Sequence, residues 1–368
     1  MTDKEILLIL NTIPSFGSAT LKKLIKNFSP FSRILKTSKE ELKKFSFLKP
    51  EMIEKIINWE KYIDLNKELA LIKKEGISLI SLLDKEDYPS LLKEIYSPPI
   101  LLYVKGDAKA LRYQNIAIVG SRKASFYGIQ NTQKLARGLA EYDLGVVSGL
   151  ALGIDAAAHK GAIEAGGITI AVLGNGLQQI YPRENRKLTQ EIIAKHGAVI
   201  SEFPMSMPPL RQNFPRRNRI ICGLSQGVVV TEASKKSGAL ITADFALDEG
   251  RAVYSMPGKV DDIASQGTNW LIKQGAKLIT QVEDILEDLD MPDFSRKNSK
   301  REKKVNLKAL NLSNDERLIY DTVAGEEITV DEINEKIDMP ISNLLSTLFS
   351  LELKKLIKQL PGKKYIRL

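Results

Sequence analysis

Ile116-Ala117-Ile118-Val119-Gly120-Ser121-Arg122 opens the part of the chain that decides the fold. An unbroken apolar run ends on a glycine, then a hydroxyl, then a cation. A short, mostly apolar run ending at a glycine or a small polar residue returns at Gly145-Val146-Val147-Ser148-Gly149, at Ile168 to Leu173 before Gly174-Asn175-Gly176, and at Ala198-Val199-Ile200-Ser201. It returns again at Val228 to Thr231, and at Ala252 to Met256 before Pro257-Gly258. Segments of helical spacing lie between these runs, near 128–142, 155–165, 184–195, 217–224 and 239–249. Strand and helix in strict alternation predict an α/β architecture: an extended Rossmann-like, doubly wound, mainly parallel sheet with right-handed crossovers. The runs are near-continuously apolar, as expected for strands covered on both faces.

Working outward, residues 1–75 carry the spacing of a helical domain, for example Leu21, Leu24, Ile25 and Phe28, and Gly76 ends it. Ile77 to Ser81 and Ile100 to Val104 read as strands with Pro98-Pro99 between them, so the sheet-bearing core is expected over 76–290. Within the helical domain, Ile13 to Lys23 resembles a helix-hairpin-helix loop, with Gly17 present and Ser15 where such loops carry another glycine. Residues 291–304 read as a basic, solvated linker. Residues 305–368 read as a helix capped by Ser313, a helix-turn-helix over 331–353 and a terminal hairpin, which together make a winged helix. Its second helix, Ile341 to Leu353, holds no Lys or Arg, which argues against reading base edges in a major groove. Lys354, Lys355, Lys363 and Lys364 remain available to phosphates or to a protein.

Composition narrows the function classes. The 368 residues hold 54 Lys and Arg against 45 Asp and Glu, a net +9 that admits polyanionic partners without choosing one. Cys222 is the only cysteine and His159 and His196 the only histidines, so neither an internal disulfide nor a His/Cys metal site is expected. The acidic start Met1-Thr2-Asp3-Lys4-Glu5 is unlike a signal peptide, and no apolar run is long enough to span a bilayer, so the expected location is the cytoplasm, with no membrane insertion.

In an open parallel sheet, ligands bind beyond the carboxyl ends of the strands. The first such end, Gly120-Ser121-Arg122, offers close backbone approach, a hydroxyl donor and a charged fork for phosphate, or else simply a βα turn with an exposed arginine. It is not a GxGxxG fingerprint, and no dinucleotide cofactor is expected. Asp155 stands where a helix N-cap belongs, and Tyr181 beyond Gly174-Asn175-Gly176 offers a face to a base or simply completes a turn. The most informative stretch is Arg211-Gln212-Asn213-Phe214-Pro215-Arg216-Arg217-Asn218-Arg219: four arginines, an aromatic and two asparagines on a loop entering a helix. Arginine pairs with phosphate and Phe214 can stack an unpaired base; alternatively Phe214 anchors the loop and some arginines form internal ion pairs. Lys235 and Lys236 before Ser237-Gly238 add charge to the same edge. No nucleophile–base–acid set is present, although Glu202 and Glu232 each follow a strand and leave a carboxylate pair open.

Taken in order, Ile118 to Arg122, Ser148 to His159, Ala171 to Asn185, Ser201-Glu202-Phe203-Pro204, Phe214 to Leu224, Ser237 to Ala243 and Pro257-Gly258 closely resemble the DprA/Smf family, the DNA-processing proteins of natural transformation. The resemblance covers roughly residues 75 to 285. It implies single-stranded DNA binding, loading of the RecA recombinase, protection of incoming DNA, a homodimer and no catalytic turnover. It carries DNA-pocket roles onto Ser121, Arg122, Arg211, Phe214, Arg217 and Asn218, and onto Lys235 or Lys236; Gly120, Arg216 and Arg219 join them as neighbours in the same strings. The alternative is a nucleotide-processing Rossmann hydrolase of the phosphoribohydrolase kind, whose Pro-Gly-Gly-x-Gly-Thr string is replaced here by Ser237-Gly238-Ala239-Leu240-Ile241-Thr242. A regulator that binds duplex DNA through 305–368 is a third reading, disfavoured by a second helix without Lys or Arg.

Overall fold

The computed structural model describes every residue except 14, 15, 85, 290–311, 324–326, 338, 355, 361 and 368. The expected basic linker, and Ser15 and Lys355, therefore lie outside the described residues. What is described falls into two compact units, within Met1–Lys297 and within Asn298–Leu368.

The first unit opens with α1 (Asp3–Thr12), α2 (Ser18–Asn27), α3 (Lys39–Leu42), α4 (Pro50–Ile57) and α5 (Leu65–Lys74). Then come β1 (Ser78–Ser81), α6 (Ser90–Glu94), β2 (Leu101–Gly106), β3 (Asn115–Val119), α7 (Phe126–Glu141), β4 (Gly145–Ser148), α8 (Ile154–Glu164) and β5 (Thr169–Val172). The unit continues with α9 (Arg186–Ala194), β6 (Ala198–Ser201), α10 (Asn213–Gly223), β7 (Gly227–Val230), α11 (Gly238–Asp248), β8 (Ala252–Ser255), α12 (Gln266–Lys273), β9 (Lys277–Leu278) and α13 (Glu283–Asp288).

These strands form a nine-stranded sheet in the order β1-β2-β6-β5-β4-β3-β7-β8-β9. From β6 to β9 all neighbours are parallel, and the predicted doubly wound sheet is present. β2 joins β6 antiparallel and carries β1 as an antiparallel edge. The chain steps outward from β3 through β4, β5 and β6, then returns to the other side of β3 as β7. The winding direction therefore reverses between β3 and β7, and the crevice at their carboxyl ends is where such sheets place ligands.

The central strands β3 to β7 are buried along their whole length. One apolar cluster on the sheet gathers Ala117, Val147, Ile170, Ile200, Ile220 and Val228, and another Ile116, Ile118, Leu135, Ile154 and Val229, so successive residues of one strand serve opposite layers. Burying each such aliphatic side chain contributes about 1.5–3 kcal/mol. The N-terminal helices are fastened to this core, with Leu8 of α1 and Ile72 of α5 sharing a cluster with Leu101, Tyr103, Ala171 and Val199. Tyr103 Oη and the Met205 amide both donate to Glu68 of α5, at 2.9 and 2.8 Å.

The second unit holds α14 (Asn314–Thr322), β10 (Ile328–Thr329), α15 (Val330–Ile337), α16 (Ile341–Leu353), β11 (Ile357–Leu360) and β12 (Lys364–Arg367), the hairpin extended by β10 into a three-stranded sheet. This is the predicted winged helix. Ser313 caps α14 as the sequence requires: its Oγ accepts from the Glu316 amide at 3.1 Å, and Glu316 Oε2 accepts from the Ser313 amide at 2.9 Å.

Two local expectations need correction. The helix expected near 217–224 begins at Asn213. Pro215 falls in its first turn, where a missing N–H costs nothing, so Phe214 and Arg216 sit on the helix and not on a loop. Asp155 is not the N-cap of α8: Gly153 is, at φ 76°, where the left-handed backbone suits glycine.

Candidate nucleic-acid interface

Beyond β3, the chain is held where it leaves the sheet. A Cβ on Gly120 would lie 2.6 Å from Ile154 Cγ1 and 2.7 Å from the Glu232 carbonyl oxygen, so only glycine fits. Ser121 ties three strand-end loops together: its amide donates to the Glu232 carbonyl at 2.7 Å, and its carbonyl accepts from the Ile154 amide at 3.1 Å. Its Oγ accepts from the Lys123 amide at 3.2 Å, leaving the hydroxyl proton to give. Arg122 is exposed, and its guanidinium stands 5.7 Å from the centre of the Phe214 ring.

Phe214 rests on Gly174, where a Cβ would come within 2.9 Å of the ring, and lies 5.8 Å from the Tyr181 ring at an interplanar angle of 46°. Arg122, Phe214 and Tyr181, from three separate loops and helix starts, thus form one cluster beyond the carboxyl ends of β3 and β5. Tyr181 is 41% exposed and Phe214 half-buried, so aromatic surface faces solvent beside an exposed cation. Lys235 and Lys236 are exposed on the turn between β7 and α11, and Arg211 is exposed just before α10. Arg216 is exposed and lies 5.4 Å from the centre of the Phe203 ring.

The remaining arginines turn inward. Arg217 Nη1 donates to the Gly149 carbonyl at 2.7 Å and also to the Val172 carbonyl, and Nε donates to Asn218 Oδ1 at 3.2 Å. This guanidinium therefore joins α10 to the ends of β4 and β5, and a Cβ on Gly149 would strike it. Burial, with the nearby charge of Arg122, lowers its pKa to about 10 against the opposing pull of Asp155, and it stays charged at neutral pH. Arg219 donates to the Ser97 carbonyl at 2.7 Å and forms an ion pair with Glu202. Both arginines brace the loops, and the internal ion pairing weighed in the sequence holds for Arg219.

The buried titratable groups are similarly engaged. Asp155 Oδ2 accepts from the amides of Gly149 and Ala151 at 3.1 and 3.3 Å, and burial raises its pKa against the influence of Arg217. His159 is fully buried, its Nδ1 2.7 Å from Thr169 Oγ1; Thr169 itself donates to the Val146 carbonyl, so Nδ1 carries the proton. Burial pushes the His159 pKa down to about 3, which keeps it neutral, and pushes the Cys222 thiol up to about 12, which keeps it protonated.

The carboxylate of Glu232 has a role that the sequence did not signal. It accepts from the Ser125 amide at 3.0 Å and from the Ser125 hydroxyl, while Ser125 Oγ accepts from the Gly128 amide at 3.0 Å. Glu232 thus sits at the positive N-terminus of α7, the position a phosphate takes in related sheets. A Cβ on Gly128 would lie 2.5 Å from Glu232 Oε2, so a glycine there makes room for it. Only the pairing of a strand-end glutamate with a Ser-x-x-Gly helix start hints at this arrangement.

The cluster stands on a frame shared with known proteins. Residues 79–290 match the model of DNA recombination-mediator protein A, and residues 306–363 match the DprA winged helix domain. The chain belongs to the DNA recombination-mediator protein A family. It is 42% identical over 293 residues to Protein Smf of Escherichia coli strain K12, covering 77% of this chain and 76% of that protein. It is 44% identical over 229 residues to DNA processing protein DprA of Bacillus subtilis strain 168, covering 62% of this chain and 76% of that one. The X-ray structure of DprA from Streptococcus pneumoniae superposes with a TM-score of 0.68 at 36% identity over 78% of this chain and 98% of that chain. DprA from Helicobacter pylori, described for its single-stranded DNA binding mode, superposes with a TM-score of 0.52 at 32% identity over 58% of this chain and 95% of that chain. Among the described residues, no helix of this family member is long and apolar enough to cross a membrane.

Proposed function

We propose that the chain binds single-stranded DNA along the rim made by Ser121, Arg122, Arg211, Phe214, Arg216, Lys235 and Lys236, with Tyr181 beside Phe214. The observation that carries this reading is the Arg122–Phe214–Tyr181 cluster, which offers stacking surface and positive charge where an open parallel sheet receives ligands. Phe214 stacks an unpaired base, Arg122 and the other exposed cations meet phosphates, and the Ser121 hydroxyl donates to one of them. Gly120, Arg217, Asn218 and Arg219 act beneath the rim as positioning residues. Stacking and phosphate contact tolerate any base, so binding is indifferent to sequence.

The biological role we propose is that of a recombination mediator. It protects incoming single strands and loads RecA onto them during natural transformation, as a cytoplasmic homodimer and without turnover. Family membership and the H. pylori relative's single-stranded DNA binding mode support this reading. The hydrolase alternative loses support because Glu202 is paired with Arg219 and Glu232 is bound by Ser125, the N-cap of α7.

The test is fluorescence anisotropy with labelled oligo-dT, competed by duplex, over a salt series. Binding to the single strand with weak duplex competition is expected. The logarithmic salt slope counts phosphate contacts at about 0.7 each. Absence of binding to either form overturns the proposal.

A further inference from the structure

We propose that a strand held at the rim continues onto the N-terminal helices, across a basic surface made by Lys23, Lys26, Lys43 and Lys44 with the rings of Phe45 and Phe47. The inference rests on the single-strand reading of the rim and extends it to a part of the chain which that reading leaves unused. Residues 18–49 hold nine basic side chains against two acidic ones, in a chain whose whole excess is +9. Seven of the nine are exposed and form no ion pair among the described residues; Lys39 pairs with Glu54, and Lys22 is half-buried. Exposed like charges repel, so the cluster opposes the fold that carries it. A polyanion laid over it removes that repulsion and releases its own counterions.

The charges converge on one surface. Lys23 and Lys26 stand three residues apart on α2, on the face turned away from the buried Leu21 and Leu24. Lys23 Nζ lies 5.6 Å from the centre of the Phe47 ring. Phe47 is 5.7 Å from Phe45, and Phe45 is 5.1 Å from Phe28, which ends α2. Lys43 and Lys44, both exposed, run directly into Phe45. Phe45 and Phe47 are half-buried, so part of each ring stays open between the cations.

This surface adjoins the rim within the same compact unit. Arg216 of α10 lies beside Phe203, and the neighbouring Glu202 carbonyl accepts from Asn11 Nδ2 of α1 at 2.8 Å. Ser18, the first residue of α2, meets Ser97 hydroxyl to hydroxyl, and the Ser97 carbonyl accepts from Arg219 of α10 at 2.7 Å. Lys23 and Lys26 follow Ser18 by roughly 8 and 12 Å along the helix, at 1.5 Å per residue. A strand leaving Phe214 by way of Arg216 therefore passes onto α2 within about two helical turns. None of the large apolar side chains of 18–49 is exposed, so the surface lacks the anchor that a helix lying on a membrane inserts. Half-open rings among cations suit unpaired bases, which a duplex keeps stacked inside.

Two triple variants of the full chain separate this surface from charge in general. Lys23→Ala/Lys26→Ala/Lys44→Ala removes three cations from it. Lys73→Ala/Lys74→Ala/Lys195→Ala removes three exposed cations near the start of β6, the opposite end of the sheet, where Glu75 pairs with Lys105 at 2.7 Å. Both are compared with the unsubstituted chain by anisotropy on a length series of oligo-dT. On the shortest strands that bind, all three are expected to bind alike. On long strands the first variant is expected to bind several-fold more weakly, with a logarithmic salt slope lower by about 2, while the second is nearly unchanged. Equal affinity and slope for the first variant at every length overturns the proposal and leaves the rim standing. A loss shared by both variants, or as large on short strands as on long, overturns it as well. So does a first variant that loses duplex or phosphatidylserine vesicles while keeping oligo-dT, which gives the surface to another partner. Arg122→Ala that binds short strands as tightly as the unsubstituted chain overturns the rim, and with it a path that starts there.

Discussion

Arg122 and Arg219 lie within one basic site and do different things, because one faces water and the other a glutamate. Replacing Phe214 by alanine removes a base-stacking face worth about 1–3 kcal/mol, so oligo-dT affinity should fall roughly tenfold or more in an anisotropy titration. Arg122→Ala should lower affinity for all sequences alike and reduce the salt slope by about 0.7, with stability unchanged within about 0.5 kcal/mol. Arg219→Ala leaves Glu202 buried without its counter-charge and should cost about 3–5 kcal/mol in a denaturant titration. DNA affinity measured on the folded fraction of that variant should change little. The stretch Arg211–Arg219 pointed to the rim proposed here, but not to which of its arginines face out. That division depends on where α10 begins and on what lies beneath it, neither of which is local to the string. Asp155 shows the same limit: the sequence puts it at the start of α8 but as the N-cap, a place Gly153 takes, and the loop amides it bonds come into reach only through the fold.

At the scale of elements, the strands were the most legible feature, since a buried parallel strand can be read from its own apolar run. The winged helix was legible through Ser313, whose cap is written three residues ahead in Glu316. The carboxylate of Glu316 does more than close that cap. It accepts from Lys354 and from Ser350 Oγ, at 2.6 Å, and so joins α14 to α16. Lys354 first, then Ser350, hold its pKa at about 2 against a usual 4.5. A pKa lowered by folding adds stability that is fully present above pH 4.5 and is lost as pH falls from there toward 2. The winged-helix transition in a thermal melt should therefore move down over that window. Glu316→Gln should lower stability at pH 7 by about 1–3 kcal/mol and flatten the same pH dependence.

For the molecule as a whole, charge is divided unevenly. With nine basic against ten acidic residues in 305–368, the positive excess belongs to the rest of the chain. The division into two compact units suggests a direct experiment. A chain ending at Leu289 should keep its oligo-dT affinity to within about threefold, or 0.7 kcal/mol. The overall architecture was readable because βαβ alternation admits few topologies. The antiparallel pairing of β2 with β6 was not, since nothing in Leu101–Gly106 names its partner.

The crevice between β3 and β7 comes with a permanent tenant in Glu232. A free nucleotide or inorganic phosphate meets a helix terminus already neutralised from within, and gains little by displacing a carboxylate that cannot diffuse away. A polymer laid along the outer rim needs no such vacancy, because it gathers many modest footholds in series. If the rim binds a strand as proposed, selectivity for length over monomer should follow from denying small anions their best berth, and free nucleotides at metabolite levels should not displace oligo-dT in the anisotropy assay.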